Sequence, residues 1–134
     1  MTPLSPHRVL ILDDSAPLLK AFGRLLTRVG AEVVLAGTLD DAKQAVREGC
    51  IDRVLSDVVL DPGLGTELYE WLLEEDPQLA SRMVFMTGGC PDPIRQFLDT
   101  LPNIVLDKPP DPGAVIEALD LGPTSQRSAS LGPR

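Results

Sequence analysis

The chain has 134 residues, enough for one domain, and its 43% hydrophobic content with only 4% aromatics points to a core of Val, Leu, Ile and Ala. A net charge of -8 argues against binding duplexes by phosphate neutralisation, and no apolar run approaches the length of a membrane span, so neither a direct nucleic-acid role nor a membrane role is expected. Cys50 and Cys90 have neither metal-ligand spacing nor a CxxC pattern, and residues 1–8 lack a signal-peptide core, so a cytoplasmic domain with reduced thiols is expected.

In chain order, Arg8-Val9-Leu10-Ile11-Leu12 reads as a buried first strand stopped by Asp13-Asp14-Ser15. Asp14 or Ser15 can cap a first helix over residues 16–28, with Pro17 in its first turn and Gly30 at its end. Glu32 to Ala36 reads as the second strand. Thr38 caps a second helix with Leu39, Ala42, Ala45 and Val46 on its apolar face, and Gly49 closes it. A third strand over residues 53–57 ends at Asp57, and its loop runs through Pro62, Gly63 and Gly65. A third helix starts at Thr66, with Pro77 just beyond its end. Arg82 to Thr87 is the fourth strand, followed by Gly88-Gly89. Asp92 and Pro93 resemble the cap and first turn of a short fourth helix. Asn103 to Asp107 is the fifth strand, and Asp111-Pro112 open a fifth helix ended by Gly122. The segment 1–7 is an N-terminal extension, residues 8–121 form the domain, and the Ser-, Pro- and Gly-rich residues 122–134 read as a disordered tail.

Five apolar strands alternating with five helices through short loops mean a mostly parallel sheet covered on both faces. Such sheets place their sites at the carboxyl ends of the strands. Asp13, Asp14, Asp57, Thr87 and Lys108 all fall at those ends. Each alone has an ordinary reading as a cap, a β-branched strand residue or a solvated cation, but one sheet edge collects all five. Three nearby carboxylates repel one another, and a divalent cation removes that cost. Oxygen donors suit Mg²⁺. No His, Cys or Met cluster suggests zinc or copper, and His7 is the only histidine. A metal, a lysine and a hydroxyl around one carboxylate suggest a site for a phosphoryl group on that carboxylate.

The sequence resembles response-regulator receiver domains of two-component systems, the chemotaxis-regulator-like family, over about residues 7–121. The likeness rests on Asp13-Asp14, Asp57, Thr87 and Lys108-Pro109, with glycines in the stretches from Asp57 to Gly65 and from Phe85 to Gly89. It implies a doubly wound (βα)5 flavodoxin-like α/β fold, a parallel sheet of strand order 2-1-3-4-5 in a single domain. It also implies that Asp57 accepts a phosphoryl group from a phosphohistidine on a sensor histidine kinase or a phosphotransfer domain. Asp14, Asp57 and the Val59 carbonyl would ligate Mg²⁺ (with Mn²⁺ as a substitute), and Asp13 would act through a metal-bound water. Lys108 and Thr87 would bind phosphoryl oxygens, and a shift of Thr87 would propagate to the fourth helix and fifth strand. The Lys108-Pro109 peptide is cis in many relatives. The domain is expected to promote its own phosphorylation and dephosphorylation without being an enzyme in the ordinary sense.

Departures from the family pattern concentrate on the signalling side. Val105 stands where relatives often carry a ring that moves with the Thr, so the switch region of Thr87 and Val105 must work through other packing. Asp61 replaces a common Pro, and Pro110 replaces a common aromatic or apolar residue. The face of the fourth helix, fifth strand and fifth helix is where many relatives dimerise, so a homodimer through it is one expectation. A stand-alone regulator and the receiver of a hybrid histidine kinase both fit. Two other readings stay open: a receiver-like interaction module that is never phosphorylated, and a Mg²⁺-dependent phosphohydrolase. The second would want an acid where Val59 stands.

Overall fold

Strand β1 (Arg8–Leu12) opens the part of the chain that the computed structural model describes, residues 7–121. After it come α1 (Ala16–Arg28), β2 (Glu32–Ala36), α2 (Leu39–Glu48), β3 (Arg53–Asp57), α3 (Gly65–Glu75), α4 (Pro77–Ser81), β4 (Met83–Thr87), α5 (Asp92–Asp99), β5 (Val105–Asp107) and α6 (Pro112–Ala118). All neighbouring strands are parallel, in the order β2-β1-β3-β4-β5, so the expected α/β architecture and strand order hold.

The apolar runs of β1, β3 and β4 are buried on both faces because helices lie on each side of the sheet, while β2 and β5 are more exposed. Alternate residues divide between two cores. Leu10, Leu12, Val54 and Phe85 face α2, α3 and α5 with Ala42, Leu68, Leu72 and Leu98. Val9, Ile11, Leu55, Val84 and Met86 face α1 and α6 with Phe22, Leu26, Val115 and Leu119. This period-2 division is what a fully buried strand requires.

Helix starts follow side-chain chemistry. Ser15 Oγ accepts from Leu18 N at 3.4 Å, Thr38 Oγ1 from Asp41 N at 3.1 Å and Asp111 Oδ2 from Ala114 N at 3.1 Å, as the sequence predicts. Four expectations need correction. Among the described residues the helices number six, not five: Pro77 ends α3 but also opens α4, because Asp76 Oδ1 accepts from Leu79 N at 3.2 Å while Leu79 and Ala80 are buried. Arg82 therefore belongs to the end of α4, its amide bonded to the Leu79 carbonyl, and β4 begins at Met83. Asn103 is a loop residue, not part of β5: its amide group donates to the Ala80 and Met83 carbonyls at 2.9 and 2.8 Å, and the strand starts at Val105. Asp92 is the first residue of α5, with Pro91 in the cap position. The expected extension, apart from His7, the Gly122 helix stop and the tail lie outside the described residues.

Candidate functional site

The carboxyl edge of β1 and β3 brings together the acids expected there. Asp13 continues β1 by one residue, its amide bonded to the Ala36 carbonyl of β2 at 3.1 Å, so its side chain is fixed by the sheet and completely buried. One carboxylate oxygen accepts from the Ser15 amide at 2.9 Å and the other from Lys108 Nζ at 2.9 Å. Asp14, the next residue, is exposed. Asp57 ends β3 and is only 6% exposed. Its Oδ2 accepts from the same Lys108 ammonium at 2.9 Å. One carboxylate oxygen from each of Asp13, Asp14 and Asp57 lies within 4.8 Å of the others.

Lys108 reaches these acids because the chain is pinned just beyond β5. Its amide donates to the Thr87 carbonyl at 2.9 Å, and the Lys108-Pro109 peptide is cis, as is Asp61-Pro62. One ammonium between two carboxylates gives unequal compensation. For Asp57, burial raises the pKa, and the Lys108 hydrogen bond and charge and the Val59 amide only partly offset that burial and the repulsion from Asp13. For Lys108, burial acts to lower the pKa, but hydrogen bonds and charge from both acids outweigh it, and the net direction is upward. The two shifts agree physically: the cation is over-supplied with anions, and each anion has only a share of one cation. With Asp14 counted, three carboxylates meet one ammonium, and two negative charges are left uncompensated.

The loop after Asp57 adds polar backbone. Leu60 N bonds Gly63 O and Gly65 N bonds Val58 O, at 2.9 and 2.7 Å, around an isolated antiparallel bridge between Val59 and Leu64. These bonds run through the neighbours of Val59, so its own amide and carbonyl lie on the outer side of the turn. The amide acts on the Asp57 carboxylate to lower its pKa.

Thr87 ends β4 at the same edge, one residue past Met86, which pairs with Asp57. It is buried, and its hydroxyl accepts from the Gly89 amide at 3.0 Å, so that oxygen is engaged with its own loop. Val105 is not at the site: it pairs with Phe85 on the flank of the sheet and packs against the core. Rings do lie beneath it, since Phe85 is 6.0 Å from Tyr69, which is 6.5 Å from Phe97.

Two supporting residues escaped the sequence reading. Ser56, fully buried within β3, donates its hydroxyl to the Asp57 carbonyl at 2.9 Å. The sequence places Gly65 in a loop, but a Cβ there would collide with the Asp57 carbonyl and come within 2.6 Å of Ser56 Oγ. A serine inside an apolar strand run was the available signal for the first. The second depends on where the loop returns, which local sequence does not show.

Comparisons with known proteins agree with this fold. The family model described as response regulator receiver domain matches residues 9–120. Among curated proteins, the transcriptional regulatory proteins GlrR of Escherichia coli (strain K12) and QseF of Escherichia coli O157:H7 are each 28% identical over 115 residues, covering 86% of this chain. The chain spans about a quarter of their length, 26% in each case. Among solved structures, a CheY-like response regulator receiver domain protein from Methanospirillum hungatei JF-1 superposes with a TM-score of 0.77 at 24% identity, covering 94% of this chain and 99% of that one. A response regulator receiver protein from Sinorhizobium medicae WSM419 gives 0.74 at 26% identity, covering 88% and 94%.

Proposed function

We propose that this chain, which belongs to the response regulator receiver domain family, accepts a phosphoryl group on Asp57 and so carries a phosphorelay signal. The observation that supports this best is the pairing of buried Asp57 with Lys108 at 2.9 Å beside two further carboxylates. A buried acid in a sheet core would be a plain liability. At a solvent-facing strand end, with a cation and a hydroxyl near it, it is a nucleophile with its charge managed.

The residues fit a divalent cation. All donors are oxygens, two negative charges lack partners, and exposed Asp14 leaves one side open to solvent. Asp14, Asp57 and the Val59 carbonyl would hold Mg²⁺, or Mn²⁺ in its place. Asp13, with both oxygens already bonded to Ser15 and Lys108, would act through a water. When bound, the ion supplies charge neutralisation at the phosphoryl oxygens.

The donor is a phosphohistidine of a sensor histidine kinase or phosphotransfer domain. An Asp57 oxygen attacks the phosphorus in line. The new O–P bond forms as the N–P bond breaks, and the imidazole nitrogen leaves with the electron pair and takes up a proton from solvent. Lys108 already holds the carboxylate in place and is positioned to follow charge onto a phosphoryl oxygen. Thr87 must give up its Gly89 contact to reach another, and that rotamer change is the first step out of the site. With Val105 in place of a ring, the motion passes to the Tyr69, Phe85 and Phe97 cluster and to α5. Incubation of the full chain with Mg²⁺ and a small acyl-phosphate or phosphoramidate donor tests this by mass spectrometry. A single phosphoryl adduct on Asp57, absent from Asp57→Asn, is expected, and no adduct at Asp57 overturns the proposal.

A further inference from the structure

A second surface lies apart from the carboxylate site. Helix α1 and the exposed face of β2 bound an open groove of about 530 Å³. Val33 and Leu35 of β2 form its floor, and Leu35 is 45% exposed. Lys20, Arg24 and Arg28 of α1 form its wall, four residues apart and so on one side of the helix. None of the three makes an ion pair among the described residues. In a chain of net charge -8, this is a local concentration of unpartnered cations beside exposed apolar surface.

Gly23 sits in the middle of α1 at the base of this groove. Glycine inside a helix is less stable than alanine, so it needs a reason. Packing does not supply one: a Cβ at Gly23 would meet Leu35 Cδ2 at 3.5 Å and Val33 Cγ2 at 3.9 Å, ordinary contacts. The missing side chain instead keeps the groove deep. Beside it, among the described residues, β2 is an edge strand with β1 as its one strand neighbour. Its sequence, Glu32-Val33-Val34-Leu35-Ala36, has no Pro, Lys or Arg to guard that edge.

We propose that β2 and this groove dock an extended acidic segment of a partner protein, one that adds a strand to β2 and carries apolar side chains at alternate positions. The edge supplies main-chain hydrogen bonds, the floor of Val33 and Leu35 takes the apolar side chains, and the cationic wall takes the carboxylates. Charge selects this occupant. A second copy pairing β2 with β2 about a twofold axis would set two cationic walls on the same sheet face. A nucleic acid would gain nothing from the apolar floor and would meet an acidic molecule.

The test uses the full chain, ¹⁵N-labelled, titrated with an end-blocked ten-residue peptide alternating glutamate with valine or leucine. Amide shifts should map to β2 and α1. The same peptide with lysine in place of glutamate should not bind, and Lys20→Glu combined with Arg24→Glu and Arg28→Glu, all exposed positions, should weaken binding about tenfold or more. Gly23→Leu should fill the groove and weaken binding, with its thermal midpoint checking that the fold is kept. The proposal is overturned by shifts elsewhere, by equal binding of the two peptides, by unchanged affinity in the charge-reversed chain, or by binding to phosphatidylglycerol vesicles in place of the peptide.

Discussion

Asp57 carries a charge that burial in the fold disfavours, and this has a measurable sign. Its pKa in the folded protein is raised by burial above the ordinary 3.8. A raised carboxyl pKa means that the folded state holds the proton more tightly than the unfolded one. Its contribution to stability is therefore present below the ordinary value and lost as pH rises through the folded value. At pH 7 Asp57 costs stability. Asp57→Asn should therefore unfold at higher urea than the parent at pH 7 without metal, with the gap closing as pH falls below 3.8. Lys108 works in the opposite sense. Its raised pKa gives stability that persists below 10.5 and is lost as pH rises through the folded value in the alkaline range. Lys108→Met leaves Asp13 and Asp57 buried without their cation and should cost about 2–4 kcal/mol at pH 7. That loss should shrink in acid, where Asp57, its pKa raised above 3.8, takes up its proton, and urea midpoints at pH 7 and pH 3 measure it. The acids and the lysine are legible in the sequence because each lies within two residues of the end of an apolar run. Which of the two adjacent acids is buried is not, since only the sheet register decides that Asp13 continues β1 and Asp14 turns outward.

The elements hold these residues by close backbone contacts, and here sequence patterns informed unevenly. Strands and helices with a complete apolar period, such as β1 and α1, are legible to the residue in the sequence. Short elements failed where one residue serves two neighbours. The sequence presents Pro77 as a stop, yet Asp76 and Pro77 together begin α4, and burial of Leu79 and Ala80 stabilises a turn too short to show a period. Asp76→Ala removes its cap and should cost about 1 kcal/mol, read from urea denaturation and from faster amide exchange at Leu79 and Ala80. The return of the β3–α3 loop was hidden for a different reason. The first residue of α3, Gly65, passes directly over the Asp57 carbonyl, and Ser56 bonds that same carbonyl from within the strand. The obstacle to a Cβ is backbone, which cannot move aside as a side chain does. Gly65→Ala should cost about 3 kcal/mol or more and displace Asp57, with phosphoryl-adduct yield falling alongside stability.

At the scale of the whole molecule, the balance of charge links stability to its ligand. The chain is acidic overall at -8, and the carboxyl edge of its sheet concentrates two uncompensated negative charges between β1 and β3. Self-repulsion of that kind is tolerated because the two cores on either face of the sheet contain the buried strands that end there. A divalent cation binding the folded but not the unfolded chain should raise stability by mass action, about 2.7 kcal/mol at a hundredfold excess over its Kd. For a domain of this size that is a rise in Tm of roughly 10 °C. Sodium chloride at matched ionic strength separates the site from general screening: it should give only a small rise, because screening acts on exposed charges more than on Asp13 and Asp57. Asp14→Ala keeps the buried Lys108 network but removes the exposed carboxylate, so its Mg²⁺-specific rise should vanish while its response to sodium stays that of the parent. Equal rises with the two salts, or a Mg²⁺ response retained in Asp14→Ala, would show that the acidic edge is not where the ion acts.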